Sequence, residues 1–197
     1  MVQVSPLTLI ILLIINEIRF PDFLLQIFSF YLSIFMLCYG NENEKKDPFK
    51  PNRYGDDALQ TACLKGAHPI FVYLVETLNY SRKRLAEAYE LLGSTFLDEH
   101  FDLNLTIKYW KQALEIRNED PENIIKKNIL PPNAAFMNAK EFQTIDELNQ
   151  IANDLDAMRM QSLIISERIL GSTHKEMIYR LMYRGIIEIV IIDLFID

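Results

Sequence analysis

The chain has 197 residues, half of them hydrophobic, with a formal net charge of −7 and only two cysteines, Cys38 and Cys63. No basic block exceeds Arg82-Lys-Arg84, which argues against nucleic acid, since phosphate binding needs a concentrated cationic face. Two cysteines are too few for a disulfide framework or a closed zinc site.

The first forty residues differ in composition from the rest. Residues 7–15 are apolar apart from Thr8, Asn16, Glu17 and Arg19 come next, and a second apolar run covers residues 23–39. A membrane-spanning helix needs about 20 apolar residues. The second run just reaches that, and neither run has the basic start and small-residue cleavage site of a signal peptide. Three readings stay open for residues 1–40: a membrane anchor, a hydrophobic helical pair packed on the repeats, or sequence foreign to the natural protein, as in a gene-model artefact. Residues 41–53 are polar, contain Pro48 and Pro51, and read as a linker at a domain boundary.

Residues 54–79 have an ankyrin-like pattern. Gly55-Asp-Asp-Ala-Leu-Gln-Thr-Ala-Cys-Leu-Lys-Gly66 places Ala58, Leu59, Ala62 and Cys63 on one helical face. Gly66 is expected to end that helix as a left-handed cap, and Pro69 to open the next. Asp57-Ala58-Leu59-Gln60 stands where the consensus has Thr-Pro-Leu-His, so the repeat is degenerate. A single such repeat cannot bury its faces alone.

Residues 80–197 read as tetratricopeptide-like helix pairs. The spacing predicts helices over residues 81–98 and 103–117, with Leu92-Gly93 at the close approach and Trp110 in the groove between them. A loop with Pro131 and Pro132 comes after them. Further helices are expected over residues 141–153, with a Thr144/Glu147 capping box, and over 156–170 and 175–185. Gly185 is expected to end the last, because the β-branched run after it lacks the period of a further repeat helix. The fold expected is thus all-α: a helical-repeat solenoid, one degenerate ankyrin repeat followed by tetratricopeptide-like helix pairs, preceded by a hydrophobic helical segment.

Little chemistry is visible. His68, His100 and His174 fall in three separate connections, with no metal-ligand spacing, and read as surface or capping residues. Asp98 and Glu99 beside His100 read as a solvated loop, without a paired nucleophile. Arg82-Lys-Arg84 reads as a solvated face, Cys63 as core filler, and Met158 and Met160 as core rather than an adaptable groove. No phosphate loop or nucleophile elbow occurs. No catalytic, cofactor-binding or metal residue is assigned, and the substrate-binding residues stay unassigned.

Several of these segments in order, Glu90-Leu-Leu-Gly-Ser-Thr-Phe96, Asp102-Leu103, Lys108-Tyr-Trp-Lys111, Leu155-Asp-Ala-Met-Arg-Met-Gln-Ser-Leu163, Glu167-Arg-Ile-Leu-Gly171 with His174, and Tyr183-Arg-Gly185, resemble the feminization (Fem) family of ankyrin proteins. The resemblance covers residues 54–185. It implies a non-catalytic substrate receptor of a cullin–RING ubiquitin ligase, with no cofactor. In that family the ankyrin repeats recognise the C-terminal ends of target proteins, and a separate box binds elongin and cullin. Degron-bearing proteins and the elongin–cullin complex are therefore the implied partners, and the cytoplasm, extending to the nucleus, is the expected compartment. Relative to that family the chain is expected to be incomplete, truncated after its last helix. The alternatives are a membrane-anchored helical-repeat scaffold, held by residues 7–39, and a non-functional fragment.

Overall fold

A computed structural model describes the backbone of residues 47–196 and the side chains of residues 47–185. The chain divides after Asp47 into two units, the second of which begins at Pro48 and holds the helices described below. The apolar segment and residues 41–46 of the linker lie outside the described residues. Among the described residues there are helices and no strand, and no helix is long and apolar enough to cross a membrane.

Local sequence sets each helix boundary. Helix α1 (Ala58–Leu64) starts at Asp57, whose carboxylate accepts from Gln60 N at 2.7 Å. It closes in a Schellman motif: Ala67 N donates to Ala62 O (2.9 Å) and Gly66 N to Cys63 O (3.1 Å), with Gly66 at φ +58°. Helix α2 (His68–Thr77) opens with Pro69 in its first turn. Helix α3 (Arg82–His100) is capped by Ser81, and α4 (Leu103–Asn118) by Asp102, which accepts from Leu105 N at 2.9 Å. A 3-10 turn (Ala134–Phe136) interrupts the long connection after α4. Helix α5 (Ile145–Ile151) carries the expected Thr144/Glu147 capping box. Helix α6 (Leu155–Leu170) starts on Asp154 and ends at Gly171, φ +85°. Helix α7 runs over Lys175–Ile196.

Two boundaries differ from the sequence reading. Residues 141–144 are not helical, because their backbone and side chains are engaged elsewhere. Phe142 N donates to Gln161 Oε1 (3.0 Å), Phe142 O accepts from Lys127 Nζ (2.8 Å), and Glu141 is buried among cations. Helix α7 passes through Gly185 and takes in residues 186–196. Gly185 is not in the left-handed region. Isoleucine and valine cost only a few tenths of a kcal/mol each in a helix, so a β-branched run does not stop one.

Helix α3 is the spine, packed on α4, α6 and α1. The α3–α4 approach is closest at Gly93, where Thr106 Oγ1 donates to the glycine carbonyl (3.1 Å) and Trp110 Nε1 to Glu90 O (3.0 Å). Trp110 is fully buried with Leu97, Leu114, Phe142, Leu148, Met158 and Ile165. A second cluster joins Phe136, Met160, Leu163, Ile164 and Met177. Both methionines of α6 are core, as the sequence reading expected, and each sits in a different one of the two clusters.

Glycine substitutions separate two roles. Gly66→Ala is expected to cost about 1–2 kcal/mol: its backbone is left-handed, and an added methyl would run into the His100 ring. Gly185→Ala is expected to stabilise by about 0.5–1 kcal/mol, since nothing lies within 4 Å of the new methyl and α7 continues through the position. Thermal unfolding of both variants checks the pair; a lowered midpoint for Gly185→Ala would place the end of α7 where the sequence reading put it.

Candidate binding cleft

Two arrangements of charge, one buried and one open, lie on the α3–α6 seam. The buried one holds the helices together. Glu90 of α3 accepts a bidentate pair from Arg117 of α4, at 2.9 Å from Nε and 2.8 Å from Nη2. Arg168 of α6 bridges Glu90 (2.7 Å) and Glu141 (2.8 and 2.9 Å). Lys127 Nζ lies 3.0 Å from Glu141 and 3.5 Å from Glu90, over the Phe142 ring. No side chain of the five is more than 3% exposed. Burial alone would push the Glu90 carboxyl up; the charges of Arg168 and Lys127 and the Arg117 hydrogen bonds outweigh it and hold the pKa at about 2. For Lys127 burial wins over its two carboxylates and its pKa is lowered. The sequence reading missed this cluster. Its members sit in separate segments, and a charged residue within a helical pattern reads by default as solvated.

The open arrangement is a cleft of about 670 Å3 between the C-terminal end of α3, α6 and the first turns of α7, with Lys65 from the end of α1 on its edge. Its floor is fixed by Asp98, which accepts from Ser162 Oγ at 2.6 Å and pairs with Arg180 Nη1. Arg180 Nη2 also donates to Thr95 Oγ1 (2.8 Å). Burial raises the pKa of Asp98 despite Arg180 and Ser162, and raises that of Glu99. Five cations, Lys65, Arg159, Lys175, Arg180 and Arg184, face three carboxylates, Asp98, Glu99 and Glu176. Phe101, Tyr179 and Tyr183 supply the aromatic wall.

The other singled-out residues fall into place around these sites. Asp98, Glu99 and His100 form the last turn of α3 rather than a solvated loop, because the helix needs them to reach α6 and α7. Arg82 and Arg84 are ties rather than a solvated face. Arg82 Nη2 donates to Ile116 O (3.1 Å) at the open carbonyl end of α4, and Arg84 Nη2 to the α1 cap Asp57 (2.7 Å). Lys83 alone of the three stays on the surface, 3.9 Å from Glu87. Cys63 is fully buried, its thiol donating to Ala88 O (3.3 Å), and burial pushes its pKa up. His174 caps α7, accepting from Glu176 N at 3.3 Å, and its other nitrogen lies 3.0 Å from Asp56, so the start of α7 is tied to the residues before α1. His100 packs on Phe96 and His68 on Tyr109. Among the described residues, no three His, Cys, Asp or Glu side chains gather into a metal site.

Among the described residues the elements are all helices, packed side by side, an arrangement consistent with a helical repeat. Comparison with known proteins gives the family. The chain is 39% identical over 135 residues to protein fem-1 homolog C of Xenopus laevis and 40% identical over 135 residues to the Homo sapiens homolog C; each match takes in 67% of this chain and 22% of the relative. Protein fem-1 homolog A of Danio rerio is 37% identical over 134 residues, 67% of this chain and 22% of its own length. No family model matches the chain. Over the matched two thirds, the chain belongs to the Fem-1 family. It spans about a fifth of the length of these relatives.

Proposed function

We propose that this chain acts by protein binding, as a repeat segment of a substrate receptor in a cullin–RING ubiquitin ligase. Residues 54–79 form the ankyrin-like repeat and residues 80–197 the tetratricopeptide-like pairs. The observation that carries the reading is the 40% identity to fem-1 homolog C across 135 residues. It is supported by the way the helices stack into one array with an open cleft. In this role the chain positions degron-bearing proteins relative to an elongin–cullin complex in the cytoplasm and nucleus, without cofactor or chemistry of its own. The stacked helices supply a wide, rigid surface, and rigidity lowers the entropy cost of binding.

A segment exchange tests this. The matched 135 residues replace their counterpart in human fem-1 homolog C, and the chimera is scored in cells for co-precipitation of elongin and cullin and for turnover of a reporter carrying a C-terminal degron. Retained turnover is expected. A chimera that accumulates and binds elongin–cullin yet leaves the reporter stable would contradict the reading.

A further inference from the structure

Several side chains stand open at the rim of the cleft. Phe101 lies just past α3 in the left-handed region, φ 55°, a position that favours glycine, and the residue is 62% exposed at the rim. Tyr179 and Tyr183, one turn apart on α7, stack with centroids 6.4 Å apart, and Tyr179 is 60% exposed. The Arg159 guanidinium has no hydrogen bond or ion pair among the described residues, although its charge acts on Asp98. Lys175 and Lys65 share one carboxylate, Glu176, each at 3.6 Å, and Lys175 Nζ also lies 3.8 Å over the Tyr54 ring. With Asp98 taken up by Arg180 and Ser162 and Arg184 paired with Asp156 at 2.6 Å, Arg159, Lys65 and Lys175 face Glu99 and Glu176, so a small excess of positive charge is left beside apolar rings, in a chain whose overall charge is −7.

We propose that this cleft holds an acidic peptide segment of a partner protein. Its carboxylates lie on Arg159 and Lys175, and an apolar side chain packs against Phe101 and Tyr179. A guanidinium matches a carboxylate in two hydrogen bonds, and a cavity of this size accommodates a short peptide run. Nucleic acid fits less well: Glu99 and Glu176 line the same cleft, and phosphate chains need a continuous cationic track. The proposal rests on the protein-binding reading and narrows it to a ligand class.

The test uses the 197-residue chain and fluorescence anisotropy. The probe is a fluorescein-labelled twelve-residue peptide rich in glutamate with one phenylalanine; the controls are its lysine-for-glutamate twin and inorganic phosphate as competitor. The acidic peptide is expected to bind at least about tenfold tighter than its twin and to weaken as salt rises. Arg159→Glu is expected to lose about tenfold in affinity. Phe101→Gly is expected to weaken binding several-fold while its melting temperature holds or rises, because glycine suits that backbone. No binding up to about millimolar peptide, equal binding of the twin, an unchanged affinity in Arg159→Glu, or displacement by phosphate at equal concentration would each overturn the proposal. Reporter turnover by the chimera without peptide binding would sink the cleft alone; peptide binding with an inactive chimera would sink the ligase reading alone.

Discussion

Glu90→Gln is expected to lower the unfolding free energy by about 3–5 kcal/mol. The substitution keeps the shape and removes one of two buried carboxylates that face three buried cations. Arg117 and Arg168 then keep their charge in a dry environment with one acceptor fewer between them, and stranding a buried charge costs more than the intact cluster contributes. Exposed pairs set the control: Lys83→Ala, which loses only the 3.9 Å contact to Glu87, is expected to change stability by less than about 1 kcal/mol. Urea unfolding of the three proteins makes the comparison. The pH dependence has the same sign. The Glu90 pKa is held at about 2 in the folded chain, against 4.5 for the free group. Its stabilisation is therefore fully present above about pH 4.5 and is lost as the pH falls towards about 2. The Glu90→Gln variant is expected to show a flatter acid limb. Lys127 gives the same slope in a higher pH window: burial lowers its pKa, so its charged form costs stability near neutrality and stability rises as that cost fades in alkaline solution.

Trp110→Ala is expected to cost about 3–5 kcal/mol, the range for emptying a buried aromatic site. The indole is fully buried, closes the α3–α4 seam through Glu90 O, and packs 5.3 Å from the Phe142 ring. Gly93→Ala is expected to cost about 1–3 kcal/mol. The new methyl would stand 2.7 Å from Trp110 Cδ1, 2.8 Å from its Nε1 and 3.2 Å from Thr106 O. The two substitutions are not expected to add. With the indole gone, the methyl meets only the Thr106 carbonyl, so Gly93→Ala should cost markedly less in the Trp110→Ala background. A double-mutant cycle by chemical denaturation measures this coupling. Additive losses would mean that the glycine serves something other than helix approach.

What could be read from the sequence divides by the range of the interaction. The Thr144/Glu147 box acts within four residues and is found as read, although the helix starts at Ile145 rather than at residue 141; Asp57, Ser81 and Asp102 cap their helices over the same short range. Gly93 and Trp110 were legible because their spacing repeats a pattern of close helix pairing. The ionic cluster was not legible: Glu90 and Arg168 are 78 positions apart, and nothing local distinguishes them from surface charges. The same separation hid the cleft. Asp98 finds Arg180 across 82 positions, and Asp56 finds His174 across 118. The early stop assigned to α7 failed for the opposite reason: a local signal, Gly185 before a β-branched run, was weighted above the continuity of the helix.

The cleft has fixed walls only if α1 to α7 open as one cooperative array, tied by the Glu90 cluster and by the contacts of α7 back to Asp56 and Asp98. Native-state hydrogen exchange detected by mass spectrometry measures this directly. Peptides from the buried stretches of α3 and α6 are expected to share one slow exchange rate set by global unfolding, and to accelerate together in Glu90→Gln. If α6 exchanges through a separate, faster opening while α3 and α4 stay protected, and Glu90→Gln leaves that difference unchanged, the buried cluster does not join the array and the cleft is not a preformed site.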